Sequence, residues 1–348
     1  MIKLLLAFFF GVGLAVLAFM AKPLLAPPPP SVHVSAEAAQ AAVATRKLLA
    51  PHMIELMTAD ITVKRSIIDQ YFYAPKINEA RQLYPVTESV LEIDGVYTEV
   101  FTPAEGIPPQ NAHRVLINLH GGGFALGART EGRLESIPVA SVAGIRVISI
   151  DYRQGPEHRF PAASEDVAKV YRHLLQTYTP EQIGIFGCSA GGLLTAQSVA
   201  WFNAHGLPTP GAVGIFCAGA GKFGTGDAGV IADTFGSSIG VDDDFAYFAQ
   251  ADWNSALVAP QEHPNVLERF PPTLLITSTR DFAMSSTLVT HQRLVEAGVD
   301  AELHVYEGLG HYFFADTGLP ESRHVFDVIA RFFDQELAAA EPLMPTAR

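Results

Sequence analysis

The sequence predicts an α/β fold built on a doubly wound, mostly parallel sheet, and three observations carry that expectation. Short apolar runs of the buried-strand kind alternate with stretches of helical periodicity over most of the chain. One of these runs, Ile183 to Cys188, rises into Gly187-Cys188-Ser189-Ala190-Gly191 and passes at once into a small, helix-compatible stretch. With 348 residues, 49% hydrophobic and 17% charged, the chain can fill the core such a sheet requires. Length alone suggests two domains, but α/β folds of this size often form one.

Taken in order, the chain begins with an apolar run, Leu4 to Met20, with no charge between Lys3 and Lys22. The run lies between a signal-peptide core and a full membrane span in length. Pro27 to Pro30 follow it and read as a stiff polyproline spacer. Residues 1–30 are therefore expected to be an export signal, cleaved or retained as a membrane anchor, with its spacer. That expectation places the protein in the periplasm, outside the cell or tethered to a membrane. Residues 31–85 look helical, with Ala-rich stretches and recurring apolar residues such as Leu48, Leu49, Ile54, Leu56 and Met57.

From Val86 the pattern changes. Val90, Leu91 and Ile93 are split from Val96 and Val100 by Asp94-Gly95, a two-residue hairpin signal. Val115 to Leu119 and Arg146 to Ile150 are the next strand runs. Val167, Val170, Tyr171, Leu174, Leu175 and Tyr178 then fall on one helical face. Beyond Ile183 to Cys188 come Ala212 to Phe216, Thr273 to Thr277, and a helix near Leu288 to Ala297 that ends at Gly298, a fitting C′ residue. Glu302 to Tyr306 is the last strand. Val325, Val328, Ile329, Phe332, Phe333 and Leu337 stripe the final helix. The folded unit is expected over residues 86–340, without internal repeats.

Chemistry concentrates in two glycine-rich stretches. Gly187-Cys188-Ser189-Ala190-Gly191 fits a strained strand-to-helix turn that exposes its central residue, and the positions two before and two after that residue must be small. Gly187 and Gly191 satisfy this for Ser189. Were Cys188 central, Phe186 would occupy a cramped position it cannot fit, so Ser189 is the nucleophile. His120-Gly121-Gly122-Gly123-Phe124 follows the third strand run, and its glycines allow backbone N–H groups to approach a developing oxyanion. Gly121 and Gly122 are read as donors, with the N–H of Ala190 as the third.

With these residues in view, the sequence resembles the hormone-sensitive-lipase-like branch of the α/β-hydrolases. Three stretches carry the resemblance: His120 to Phe124, Asp151 to Ala163, and Gly187 to Gly192. The middle one is similar to the family's D-Y-R-L-A-P-E-x-x-F-P-A-A signature, with Gln154 and Gly155 in place of Leu-Ala. The resemblance covers about Val86 to Leu337. It implies an α/β-hydrolase fold with a helical cap made from the N-terminal helices plus an insertion near 219–258. It also implies a triad in the order Ser189, Asp281, His311, with His311 in a stretch similar to the family's G-x-x-H-x-F. Phe124 then becomes part of the substrate wall, and Asp151, Glu157 and His120 are scaffold. Cys188 stands where the family often has Asp, and Ala283 where it has Leu, so substrate range transfers less readily than mechanism.

The implied activity is a serine carboxylesterase acting on small to medium, uncharged acyl esters, from acetate to about octanoate, through an acyl-enzyme and without a cofactor. A lactonase or amidase would use the same triad. A non-catalytic ligand-binding protein on this scaffold would be expected to lack a triad member, and all three are present. The net charge of -13 disfavours nucleic acid as a partner and suits a neutral substrate. No His/Cys spacing matches a metal motif. Cys188 and Cys217 end adjacent strands, yet elbow geometry points the residue before the nucleophile away from its neighbour, which argues against a disulfide. Oligomeric state is left open, a homo-oligomer included.

Overall fold

The computed structural model describes residues 29–234 and 246–337. The apolar run, the first two prolines of the spacer and the middle of the expected cap insertion lie outside the described residues.

Eight strands form one sheet: β1 (Val86–Ile93), β2 (Val96–Pro103), β3 (Val115–Leu119), β4 (Arg146–Ile150), β5 (Ile183–Cys188), β6 (Ala212–Phe216), β7 (Thr273–Arg280) and β8 (Ala301–Gly310). Their spatial order is β1-β2-β4-β3-β5-β6-β7-β8. The hairpin β1–β2 is antiparallel, β2 runs antiparallel to β4, and the remaining pairs are parallel. Asp94 and Gly95, at φ 49° and 78°, make the hairpin turn the sequence expects. The strands predicted at 115–119, 146–150 and 212–216 have the expected bounds, whereas β8 continues four residues past Tyr306, to Gly310.

Both faces of the sheet are covered, so its central strands are buried throughout. Val115, Ile117 and Leu119 of β3 face one core with α6 (Ala162–Leu174) and α7 (Ala190–Ala204). Leu116 faces the other, with α5 (Glu131–Ala143) and α11 (Pro320–Glu336). The N-terminal helices α1 (Ala36–Leu49), α2 (Met53–Thr58), α3 (Ile61–Ile68) and α4 (Ala74–Leu83) join this second core through Ala38, Tyr73, Ile77, Ala80 and Tyr84. Ser35 and Asp60 cap α1 and α3 with side-chain oxygens that accept backbone N–H groups.

Helix α5 is absent from the sequence reading. It carries Pro138 and two carboxylates, Glu131 and Glu135, and is buried on most sides rather than along one stripe. An apolar helix period never develops there. The expected helix near Leu288 begins earlier, forming α10 (Met284–Glu296), with α8 (Asp227–Thr234) and α9 (Pro264–Leu267) between it and β6.

Strand β3 has β4 on one side and β5 on the other, and chain connections leave the sheet to opposite faces there. In such sheets a crevice opens beyond the carboxyl ends of the strands at this switch point. His120 follows β3 and Ser189 follows β5, so both glycine motifs reach the same crevice.

Candidate active site

Ser189 sits at φ 57°, ψ −121°, between β5 and α7. A non-glycine residue in such a conformation costs about 1–3 kcal/mol, a strain that the surrounding structure must hold. Its N–H donates to the carbonyl of Phe216 at 2.8 Å. The glycine requirement is stricter than contact between the two flanking positions alone. A Cβ on Gly187 or Gly191 would lie 2.1 or 1.7 Å from the carbonyl oxygen of Leu119 on β3. The neighbouring strand therefore dictates both glycines.

The three predicted triad residues come together from the ends of three strands. His311 Nε2 lies 2.9 Å from Ser189 Oγ, and His311 Nδ1 lies 2.7 Å from Asp281 Oδ1. A carboxylate only accepts, so Nδ1 carries the hydrogen and Nε2 is left to accept from the serine hydroxyl. Asp281 is 1% exposed and is itself held by the amide of Ala283 at 2.8 Å and the hydroxyl of Thr277 at 3.1 Å. The ring of Phe282 stacks on His311 with centroids 4.2 Å apart. The acid's position is therefore set before any substrate arrives.

The glycine loop divides at its first residue. Gly122 and Gly123 line the cavity in front of Ser189, whereas Gly121 is buried and does not line it. The backbone N–H of Gly121 supports the carboxylate of Glu131. Of the expected donor pair, Gly122 therefore faces the cavity, and Gly123 lies beside it there. Ala190 keeps its place at the first turn of α7, where N–H groups lack intrahelical partners.

His120 is structural as expected: buried, stacked on Tyr152 at 4.2 Å, and bonded through Nδ1 to the carbonyl of Gly121 at 2.9 Å. Burial holds its pKa below the ordinary histidine value. Asp151 pairs with Arg129, and Glu157 with Arg65 of α3, away from the relay. Phe124 lines the cavity, with its ring stacked on Tyr247 at 4.8 Å and edge-on to Phe248 at 4.9 Å. Tyr247 also explains the departure at Gly155, where a Cβ would come within 2.9 Å of the Tyr247 amide nitrogen.

The cavity measures about 610 Å³ and is mostly apolar. Its walls include Phe124, Phe223, Phe248 and Trp253 on one side and small residues of α1 on the other. Pro29 and Pro30 also line it, and Arg280 donates to the carbonyl of Pro29 at 2.9 Å. The second half of the proline run is thus part of the site's wall rather than a free spacer.

Cys188 and Cys217 are unbonded thiols, both buried, and burial raises the pKa of each. Among the described residues one His/Cys/Asp/Glu group has ligating atoms within 4.8 Å of one another: Cys217, Asp281 and His311. Both nitrogens of that histidine are already engaged by Asp281 and Ser189.

A family model described as an alpha/beta hydrolase fold matches residues 116–315, more than half of the chain. The chain belongs to the α/β-hydrolase family. Within it, a solved esterase, E25, is 32% identical, with a TM-score of 0.77 over 89% of this hydrolase and 97% of that chain. An acetyl-hydrolase of Streptomyces hygroscopicus is 27% identical over 234 residues, covering 65% of this hydrolase and 77% of that protein. A solved esterase from the bacterial hormone-sensitive lipase family shares the fold, with a TM-score of 0.75 at 24% identity over 87% of this chain and 99% of that one.

Two functional neighbourhoods escaped sequence reasoning. Glu131, Glu135 and Tyr73 form a buried polar cluster against the glycine loop, with Glu131 and Tyr73 also lining the cavity, and Arg65 bridges α3 to two loops of the site. The only local signal for the first is a pair of carboxylates four residues apart in an otherwise apolar stretch, a pattern more common on solvated helices.

Proposed function

We propose that this α/β-hydrolase is a serine carboxylesterase that cleaves uncharged acyl esters, with Ser189, His311 and Asp281 as its triad. The observation that carries the reading is the continuous hydrogen-bonded relay from Ser189 through His311 to Asp281, at the base of an apolar cavity. The names of two relatives, both esterases, support esters over lactones or amides.

In this mechanism His311 Nε2 takes the proton of Ser189 as Oγ attacks the acyl carbonyl. The oxyanion forms against the N–H groups of Gly122, Gly123 and Ala190, a preorganised set whose single donors are each worth about 2.7–4 kcal/mol in comparable enzymes. Asp281 keeps the ring in its useful tautomer and stabilises the imidazolium. The alcohol leaves with the proton returned by His311, and water, activated by the same nitrogen, releases the acid from Ser189.

Helices α1 to α4 with the segment around 219–258 are read as a cap over the folded unit of residues 86–340. Phe124, Phe248 and Trp253 supply the wall that limits the acyl group. The branch reading rests on the motifs at 120–124, 151–163 and 187–192. The N-terminal run Leu4–Met20 is read as an export signal or membrane anchor, which puts the enzyme outside the cytoplasm or on a membrane. Support for that comes from the charge-free apolar sequence itself. Among the described residues no helix is long and apolar enough to cross a membrane.

The test is a panel of esters, lactones and amides, with a homologous series of nitrophenyl esters measured below micelle-forming concentrations. Rates should climb gradually with chain length, by at most about 0.8 kcal/mol per methylene, and fall once the chain meets the aromatic wall. A maximum at palmitate, or a jump in rate at an oil–water interface, would contradict the capped-pocket reading.

A further inference from the structure

Among the buried acids the mechanism leaves unused, Glu131 is the one that meets the glycine loop. Glu131 opens α5, is 2% exposed, and projects its carboxylate into the backbone of the glycine loop. A Cβ on Gly121 would lie 2.2 Å from Glu131 Oε1, and Cβ atoms on Gly122 and Gly127 would lie 3.0 and 2.7 Å from Oε2. The loop is thus folded around this side chain, with glycines where any side chain would strike it. The Gly121 N–H supports the carboxylate, and Tyr73 of the N-terminal segment donates its hydroxyl to Oε2 at 2.5 Å.

We infer that Glu131 is a positioning residue for the oxyanion-binding loop, and that it couples that loop, through Tyr73, to the N-terminal helical segment. The inference rests on the esterase reading above. It assigns to the N-terminal segment a part in transition-state stabilisation besides covering the cavity. Fixing Gly121 sets the orientation of the next peptide units, those of Gly122 and Gly123, where small displacements weaken the hydrogen bonds to an oxyanion.

Charge matters to this arrangement. Burial pushes the Glu131 carboxyl up to about 7, against the stabilising donation from Tyr73, the neighbouring His311 and the Gly121 amide. The groups facing it are Asp69 and Tyr73 from the turn before α4, Glu135 one turn along α5, Tyr152 after β4, Cys188 at the end of β5, and His311 and Tyr312 after β8. The ionised form accepts the bond from Tyr73 and is supported by the Gly121 amide, and its charge favours the imidazolium formed on His311 in the transition state. Protonation of Glu131 should therefore weaken, without abolishing, the activity of the relay on the acid side of the rate profile.

The experiment compares kcat, KM and the pH dependence of kcat for the full chain with those of Glu131→Gln and Tyr73→Phe, using a nitrophenyl ester. Glu131→Gln keeps the volume but cannot ionise. It should lower kcat about tenfold with KM within about twofold, and the acid limb should lose the partial step that titration of Glu131 contributes. Tyr73→Phe removes a donor that lowers the Glu131 pKa, so the acid limb should move to higher pH while kcat at its plateau falls in the same direction. An unchanged kcat and acid limb in Glu131→Gln, or an acid limb in Tyr73→Phe at the wild-type position, would overturn the inference. Should Glu131→Gln fail to fold, the position of the Tyr73→Phe limb decides alone. Absence of ester hydrolysis by the wild-type protein would instead reject the esterase reading itself, so the two failures are distinct.

Discussion

Arg65 on α3 makes four polar contacts that tie the N-terminal helices to the site. Its Nε donates to the carbonyl of Ala125 at 2.7 Å, just beyond the glycine loop, and Nη2 donates to the carbonyl of Gly155 at 2.8 Å. Two further bonds, at 2.6 and 2.8 Å, form a fork on the Glu157 carboxylate. Replacing Arg65 with Met keeps the apolar stem and removes all four. Glu157 is half-exposed, so its ion pair is worth about 0–1 kcal/mol after solvent screening. The two partly buried carbonyls left without a donor cost about 1 kcal/mol each, at the low end of the range because water reaches them in part. Together the loss should be about 2–3 kcal/mol, a fall in Tm of about 3–4 °C for a chain of this size.

The pH dependence adds a second reading from the same variant. The Arg65 guanidinium holds the Glu157 carboxyl down at about 2. A depressed carboxylate pKa contributes stability that is present above the unfolded value, near 4.5, and is lost as pH falls through about 2. Urea unfolding of wild type and Arg65→Met at pH 7 and across pH 5 to 2 is the assay, and the difference between them should shrink toward the acid end. A difference at pH 7 within about 0.5 kcal/mol, the ordinary range for surface substitutions, would refute the reasoning.

Three further outcomes are expected. Asp281→Asn preserves shape but disfavours the tautomer in which Nδ1 carries the hydrogen, so kcat should fall by about 10⁴ in a stopped assay, with folding retained by circular dichroism. Cys188→Ser should leave most of the activity, because the buried thiol is not part of the relay; a loss on the scale of the Asp281 variant would contradict that. Deleting residues 1–25 should give a soluble, active enzyme, since Pro29 and Pro30, which line the cavity, are retained. A deletion protein that sediments or does not hydrolyse esters would show that the apolar run belongs to the fold.

The central strands β3, β5 and β6 were legible because strands buried on both faces leave continuous apolar runs, and the Asp94-Gly95 turn announces itself chemically. Ser189 was legible through sterics, although the deciding neighbour, the Leu119 carbonyl, belongs to another strand and leaves no mark near the motif. The same limit hides the difference among the three glycines of the loop. They look alike in sequence, and the carboxylate of Glu131, ten residues on, lies against the first of them, which does not line the cavity. Helix α5 stayed hidden because burial on several sides erases the periodicity by which a helix is recognised. Arg65 and Tyr73 act across 60 and 58 residues of sequence, at Ala125 and Glu131, and nothing local distinguishes them from the other polar residues of the N-terminal helices.

The most direct test of the account is covalent labelling with an activated alkyl phosphonate, read by intact mass and peptide mapping alongside loss of esterase activity. The relay predicts a single adduct on Ser189, formed in step with inactivation, and neither labelling nor activity above background in Ser189→Ala. An adduct that forms on another residue as activity disappears, or a Ser189→Ala protein that still turns over ester at a rate abolished by thiol alkylation, would contradict it.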